Sequence, residues 1–265
     1  MLRTLFSAFL VFLFSAPAFA HFQVIYTPEM ARERGGTLDF KMVFTHPFEA
    51  GHTMAMGEPQ EFYMIHKEQK TDLMDTLSAI TWGVGDHAGA AYEATGIKAR
   101  SMGDYVFALV PEPYMEAEED IYIQQLTKLI INNVGLPTDW NAPSGLKTEI
   151  MPLDKPYALW TGNVFRGVVM SEGEPVPHAE IEVEYLNHPP VPDKNEFQAE
   201  GLVAAPQGAF VTQGILADEN GKFTFGIPKA GWWGFCALGS GPDKEYNGKE
   251  LSQDAVLWIQ AKDMN

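Results

Sequence analysis

Apolar and polar positions along most of this chain alternate in short runs, separated by glycine, proline and Asn-Gly turns. That is the period of strands and not of helices. The clearest run is 179–185, where Ile181, Val183 and Tyr185 alternate with Glu180, Glu182 and Glu184. Further strands are predicted at 37–44, 61–66, 89–92, 104–110, 163–169 and 232–238, and the Asn220-Gly221 turn leads into another at 222–225. Residues 121–134 fit two periods, because Ile121 and Ile123 alternate while Ile123, Leu126, Ile130 and Val134 also recur at helical spacing. A strand is expected there, since no long amphipathic helix occurs elsewhere.

The pattern therefore predicts an all-β protein built from two β-sandwich domains, at 21–150 and 160–265, joined by a linker over 139–156 rich in proline, glycine and polar residues. Met102-Gly103-Asp104-Tyr105-Val106-Phe107 resembles the tyrosine corner that opens a late strand of an immunoglobulin-like sandwich. The strand order after residue 160 resembles the prealbumin-like modules that accompany carboxypeptidases, so the second domain is expected to be an accessory sandwich.

The first twenty residues depart from this pattern. Arg3, an apolar stretch over 5–16 and Ala18-Phe19-Ala20 form the three parts of a cleavable secretory signal. The apolar stretch is shorter than the ~20 residues that cross a bilayer. The expectation is a periplasmic protein, not inserted in the membrane, whose mature chain of ~245 residues begins at His21. Cys236 is the only cysteine, so no internal disulfide or cysteine zinc cluster can form, and its apolar neighbours predict an inert core thiol. The net charge is −17, and loss of Arg3 leaves 17 Lys and Arg against 35 Asp and Glu. A field of that sign repels nucleic acid and draws cations. Most of the acids are expected to solubilise the surface, including Glu116, Glu118, Glu119 and Asp120 on a solvated loop.

Processing would give His21 an α-amine beside its imidazole, two nitrogens that close a six-membered chelate ring. The amine's ordinary pKa of about 7.7–8.0 makes the proton a weak competitor near neutrality. The other common amino-terminal metal motif needs histidine at the third mature position, which is Gln23. His46, Glu49, His52, Met54 and Met56 share one turn-rich segment, where Pro47 and Gly51 bend the chain and allow His46 and His52 to converge. Nitrogen ligands suit Ni, Co, Cu or Zn, and Met54 and Met56 would shift the preference to Cu(I) if they ligate. On a strand, however, positions two apart lie ~6.6–6.8 Å from each other, so packing is the alternative role for both methionines. Glu49 is expected to orient a histidine. His66 is expected at the surface, His87 as a candidate extra ligand, and His178 and His188 in exposed turns. No Gly-x-Ser-x-Gly, His-Glu-x-x-His or phosphate loop is present, so the chain is not expected to be an enzyme.

Several segments in order, among them Phe44-Thr45-His46-Pro47-Phe48-Glu49, Pro111-Glu112-Pro113-Tyr114, Gly162-Asn163-Val164-Phe165 and Ala230-Gly231-Trp232-Trp233-Gly234-Phe235, resemble a domain-of-unknown-function family. Its members are described as NikK-like periplasmic components of energy-coupling-factor nickel or cobalt transporters. The resemblance implies an accessory protein that binds Ni(II) or Co(II) as cargo at His21 and His46 and delivers it to a membrane permease complex. His52 departs from the family, which more often has proline there, and Gln124-Gln125 stands where many relatives carry histidine. Two alternatives stay open: a copper carrier or histidine-brace oxidase, and a metal-free envelope interaction module using Trp140, Trp160, Trp232 and Trp233.

Overall fold

A computed structural model describes residues 21–264, so the secretory signal predicted at 1–20 lies outside the described residues. The fold is all-β, in stacked sheets, and the described residues include no α-helix, only three single turns of 3-10 helix. A smaller sheet holds Phe22–Tyr26, Gly36–Thr45, Gly89–Ala99 and Leu77–Trp82 in that order, with Thr53–Met54 added beside Gly36–Thr45. A much larger one runs from Gln213–Leu216 through Glu180–Tyr185, Gly231–Ala237, Lys249–Lys262, Ile121–Asn133 and Gly103–Pro111 to Pro59–His66. It therefore passes through both halves of the sequence.

The halves meet where Ile121–Asn133 pairs in parallel with Lys249–Lys262, in register from Tyr122 opposite Leu251 to Leu129 opposite Trp258. Parallel central strands are covered on both faces and lose the alternation of a half-exposed strand. From Gln124 onward every residue of Ile121–Asn133 is buried. The double period at 121–134 follows from this, and the segment is a strand. Part of the stretch expected as linker is also structured, because Thr148–Pro152 pairs with Val164–Ser171 and buries Ile150.

The tyrosine corner forms as expected, with the Tyr105 hydroxyl donating to the Ser101 carbonyl at 3.2 Å and accepting from the Ser101 amide at 3.0 Å. Next to it, the buried Asp104 carboxylate accepts from Asn132 Nδ2 and from the amides of Thr138, Asp139 and Trp140, fastening that turn to the sheet. Cys236 is fully buried, and burial pushes its thiol pKa well up, consistent with an inert core role. Trp232 and Trp233 are core residues and Trp140 packs against the core, which leaves Trp160 as the exposed one of the four tryptophans singled out above.

One ion pair is almost wholly enclosed: Lys128 Nζ lies 2.6 Å from Glu149 Oε2, and Ser144 donates to the same carboxylate from its amide and hydroxyl. Removing one member of such a pair strands a charge in a low dielectric, at a cost of about 3–5 kcal/mol, whereas replacing both is close to neutral. In urea unfolding, Lys128→Met should therefore lose stability of that order, and Lys128→Met with Glu149→Leu should regain more than half. A double variant no more stable than the single one would contradict this account.

The second half also holds the loop that carries His46. Asn187 donates from its amide to the Pro47 carbonyl and from Nδ2 to the Phe48 carbonyl, both at 3.1 Å. The Phe48 amide donates to Glu184 Oε2 at 3.2 Å, and the Thr212 hydroxyl donates to Glu184 Oε1. Burial raises the Glu184 pKa to about 8 from an ordinary 4.5, and burial with neighbouring carboxylates raises Glu182 to about 7. A carboxyl that stays protonated in the fold while the unfolded chain ionises makes the folded state the one that binds more protons. The contribution of Glu184 to stability must then fall as pH rises from about 4.5 through about 8. Thermal melting across that range should show the native protein losing stability with rising pH relative to Glu184→Gln; parallel pH profiles for the two proteins would remove Glu184 as a source of the dependence.

Candidate functional site

Strand register gathers the histidines. Phe22 pairs with Thr45, and Thr45 pairs with Thr53. Their outward neighbours His21, His46 and His52 thus come to one end of the smaller sheet, on three adjacent chain segments. His21 is anchored there by Gln125, whose Nε2 donates to the His21 carbonyl at 2.7 Å while its Oε1 accepts from the Gln23 amide at 2.7 Å. Phe22, next along the chain, is fully buried and meets Trp258 edge-on at 5.8 Å. The segment beginning at His21 is therefore held at its first carbonyl.

The His21 and His46 rings lie against each other at a tilt of 44°, with centroids 4.6 Å apart. Phe44 and Tyr114 flank His21 at 5.5 and 6.2 Å and contact each other at 5.2 Å. Glu116 completes the group, its Oε2 3.4 Å from His21 Nε2. Burial, and the adjoining His46, lower the His21 pKa to about 4, so at neutral pH its imidazole is uncharged and holds a lone pair. In that state the contact with Glu116 is one between a neutral ring and a carboxylate, without the strength of a full ion pair.

Glu116 was expected on a solvated loop with the acids that follow it. It instead ends the strand Tyr114–Glu116, paired opposite Ile121, while Glu118, Glu119 and Asp120 form the exposed turn. The signal was present in Tyr114-Met115-Glu116: alternation places Tyr114 and Glu116 on one face, and the polar turn returns the chain into a strand. Gln125, which stands where many relatives carry histidine, positions the segment on which His21 lies.

The remaining candidates separate from this group. Met54 and Met56 are buried in the core, and Met56 Sδ accepts from Gln23 Nε2 at 3.4 Å. Glu49 is exposed and lines a cleft of about 200 Å3 with His87, His188 and Glu196. His52 is exposed and lies beside His87, ring centroids 6.3 Å apart. His66, expected at the surface, stacks on Tyr105 at 4.0 Å, with Nδ1 2.8 Å from the Asp104 carbonyl. His178 occupies an exposed turn as expected, and half-buried His188 has Nδ1 2.8 Å from the Gln198 carbonyl. Among the described residues, no three His, Cys, Asp or Glu side chains stand together in an arrangement ready to hold a metal ion.

No curated protein matches this chain. Among solved structures it is similar to E. coli alpha-2-macroglobulin, at 10% identity over 92% of this chain and 14% of that one, with a TM-score of 0.22. It is also similar to the D0-D1 domain of intimin, at 12% identity over 91% of this chain and all of that one, with a TM-score of 0.22. The chain thus spans about one seventh of the macroglobulin, and likenesses at these scores say nothing about activity. The family profile described as Domain of unknown function (DUF4198) matches residues 18–241, and the chain belongs to that family.

Proposed function

We propose that this protein is a periplasmic carrier of Ni(II) or Co(II), which takes the ion at His21 and His46 and passes it to a membrane nickel/cobalt permease complex. The observation that carries the reading is the close, half-buried pair of His21 and His46, rings tilted at 44° with centroids 4.6 Å apart, and the Glu116 carboxylate beside it. Burial keeps His21 neutral at physiological pH, so the ion competes with few protons. Cleavage before His21 would add an α-amine to the same residue, giving three nitrogens and a nearby carboxylate. Glu116 would orient His21 and offset part of the ion's charge. The acidic surface would raise the local concentration of cations around the site. Cargo must also leave, and a set supplied partly by one terminal residue can open stepwise as a receiving site donates its own ligands. No catalytic step is part of this reading.

Ring geometry bears on the choice of metal. With metal–nitrogen bonds of about 2.0–2.1 Å, a ligating imidazole's centroid sits about 3.2 Å from the ion. Were each ring to turn a nitrogen toward one shared ion at the present separation of 4.6 Å, those nitrogens would be about 90° apart. Such cis ligands suit square-planar or octahedral Ni(II). A copper histidine brace needs its two imidazoles on opposite sides of the ion, with centroids about 6.4 Å apart. Copper nevertheless binds nitrogen sets more tightly than nickel, so a copper carrier is the second reading. Paramagnetic resonance of the copper-loaded protein and an ascorbate-driven oxidation assay distinguish carrier from oxidase.

Calorimetric titration with Ni(II) tests the leading reading on three proteins: the chain starting at His21, the same chain with His46→Ala, and one with a glycine added before His21. Both changes should weaken binding at least about tenfold. Equal affinity in all three would refute the proposed ligand set. Absence of metal after competition with mixed transition metals would favour the metal-free envelope module.

A further inference from the structure

The register that brings His21 to His46 continues across the sheet end, and a second histidine pair lies there. His52 immediately precedes the short strand Thr53–Met54, and His87 ends the 3-10 turn Gly85–His87 that leads into Gly89–Ala99. The two segments are pressed together. A Cβ on Gly89 would lie 2.3 Å from the Thr53 carbonyl oxygen, so only glycine permits that approach. Backbone hydrogen bonds hold the arrangement: the Met56 amide donates to the Ala90 carbonyl at 3.0 Å, the Ala88 amide to Gly85 at 3.2 Å, and the Gly83 amide to Asn195 at 2.8 Å. The Thr45 hydroxyl also donates to the His52 carbonyl at 3.1 Å.

We propose that His52 and His87 form a second, solvent-facing site for a divalent transition-metal ion, separate from the His21–His46 group. Their rings lie 6.3 Å apart at 75° to one another. Two imidazoles bound to one ion at about 2.0–2.1 Å have centroids about 4.5 Å apart when cis and about 6.4 Å when opposite, so the observed spacing fits an ion held between the two rings on nearly opposite sides. Glu49 and Glu196 line the adjoining cleft with His87 and supply a negative field or a further oxygen ligand. The pair is exposed, whereas the His21 imidazole is mostly shielded, so this site exchanges ions with solvent more readily. Nothing in it requires the free amine of His21, and it stands or falls apart from the reading above.

Equilibrium dialysis with Ni(II) as the only added metal tests the proposal on the full chain beginning at His21. In a His21→Ala, His46→Ala background, one equivalent of Ni(II) should remain bound, and adding either His52→Ala or His87→Ala should weaken it at least about tenfold. The two losses should not add, because either change alone dismantles a two-histidine site. In the otherwise unaltered chain, His52→Ala or His87→Ala should remove one binding event and leave the other, with melting temperature unchanged because both side chains are exposed. No Ni(II) bound in the double-variant background would overturn the proposal, as would binding indifferent to His52 and His87. It would also be overturned if His52→Ala abolished every binding event in the unaltered chain, since His52 would then belong to the His21 group.

Discussion

The parallel pairing of Ile121–Asn133 with Lys249–Lys262 is the constraint on which the other features depend. It joins strands far apart in sequence, converts two sets of strands into one continuous sheet, and forces polar side chains of both strands into the interior. Gln124, Gln125, Lys128, Gln253 and Asp254 are all buried along it. Each has to find a partner across the sheet, because an unpaired buried polar group is costly. Gln124 pairs with Gln253, Lys128 with Glu149, and Gln125 reaches His21, Gln23 and the Cys236–Asp254 pair. The polar partners that stabilise the junction therefore also position the residue from which the candidate site is built.

The second half contributes to that site in the same way. Glu184 and Asn187 are nearly inaccessible to solvent, and both hydrogen-bond the loop after His46, Glu184 accepting from the Phe48 amide and Asn187 donating to the Phe48 carbonyl. Here, the geometry between His21 and His46 depends on two anchors from different parts of the chain: Gln125 on the central strand, and the Glu184 and Asn187 pair beyond it. The raised pKa of Glu184 follows from this arrangement, since a carboxyl that must lie under a loop to bind its backbone gives up its own hydration.

The sequence revealed local structure well and long-range pairing poorly. Alternation over 180–185, the turn before 222 and the tyrosine at 105 each depend on neighbours within a few residues, and each appears where local chemistry places it. Residues 121–134 were ambiguous for a physical reason: burial on both faces erases the period that distinguishes strand from helix. At the site, His21 and His46 were legible from donor chemistry and from family resemblance. Glu116 was obscured by the exposed acids that follow it, because composition does not report which carboxylate of a run turns inward. His52 and Met54 shared a segment with His46 but not its surroundings, since alternation and the loop direct their side chains elsewhere.

The separation of the histidines into an inner and an outer pair also has a physical origin. Phe44 and Tyr114 pack around His21 and remove it from water, which depresses its pKa and keeps its lone pair available. His52 and His87 are instead exposed, and His87 lines a cleft together with the carboxylates of Glu49 and Glu196. The two environments call for different binding behaviour from the same side chain. A shielded pair favours retention, because water is a poor competitor there, and an exposed pair favours exchange. Under the proposed carrier function these would be complementary demands, and the strand register brings His21, His46 and His52 to one end of one sheet.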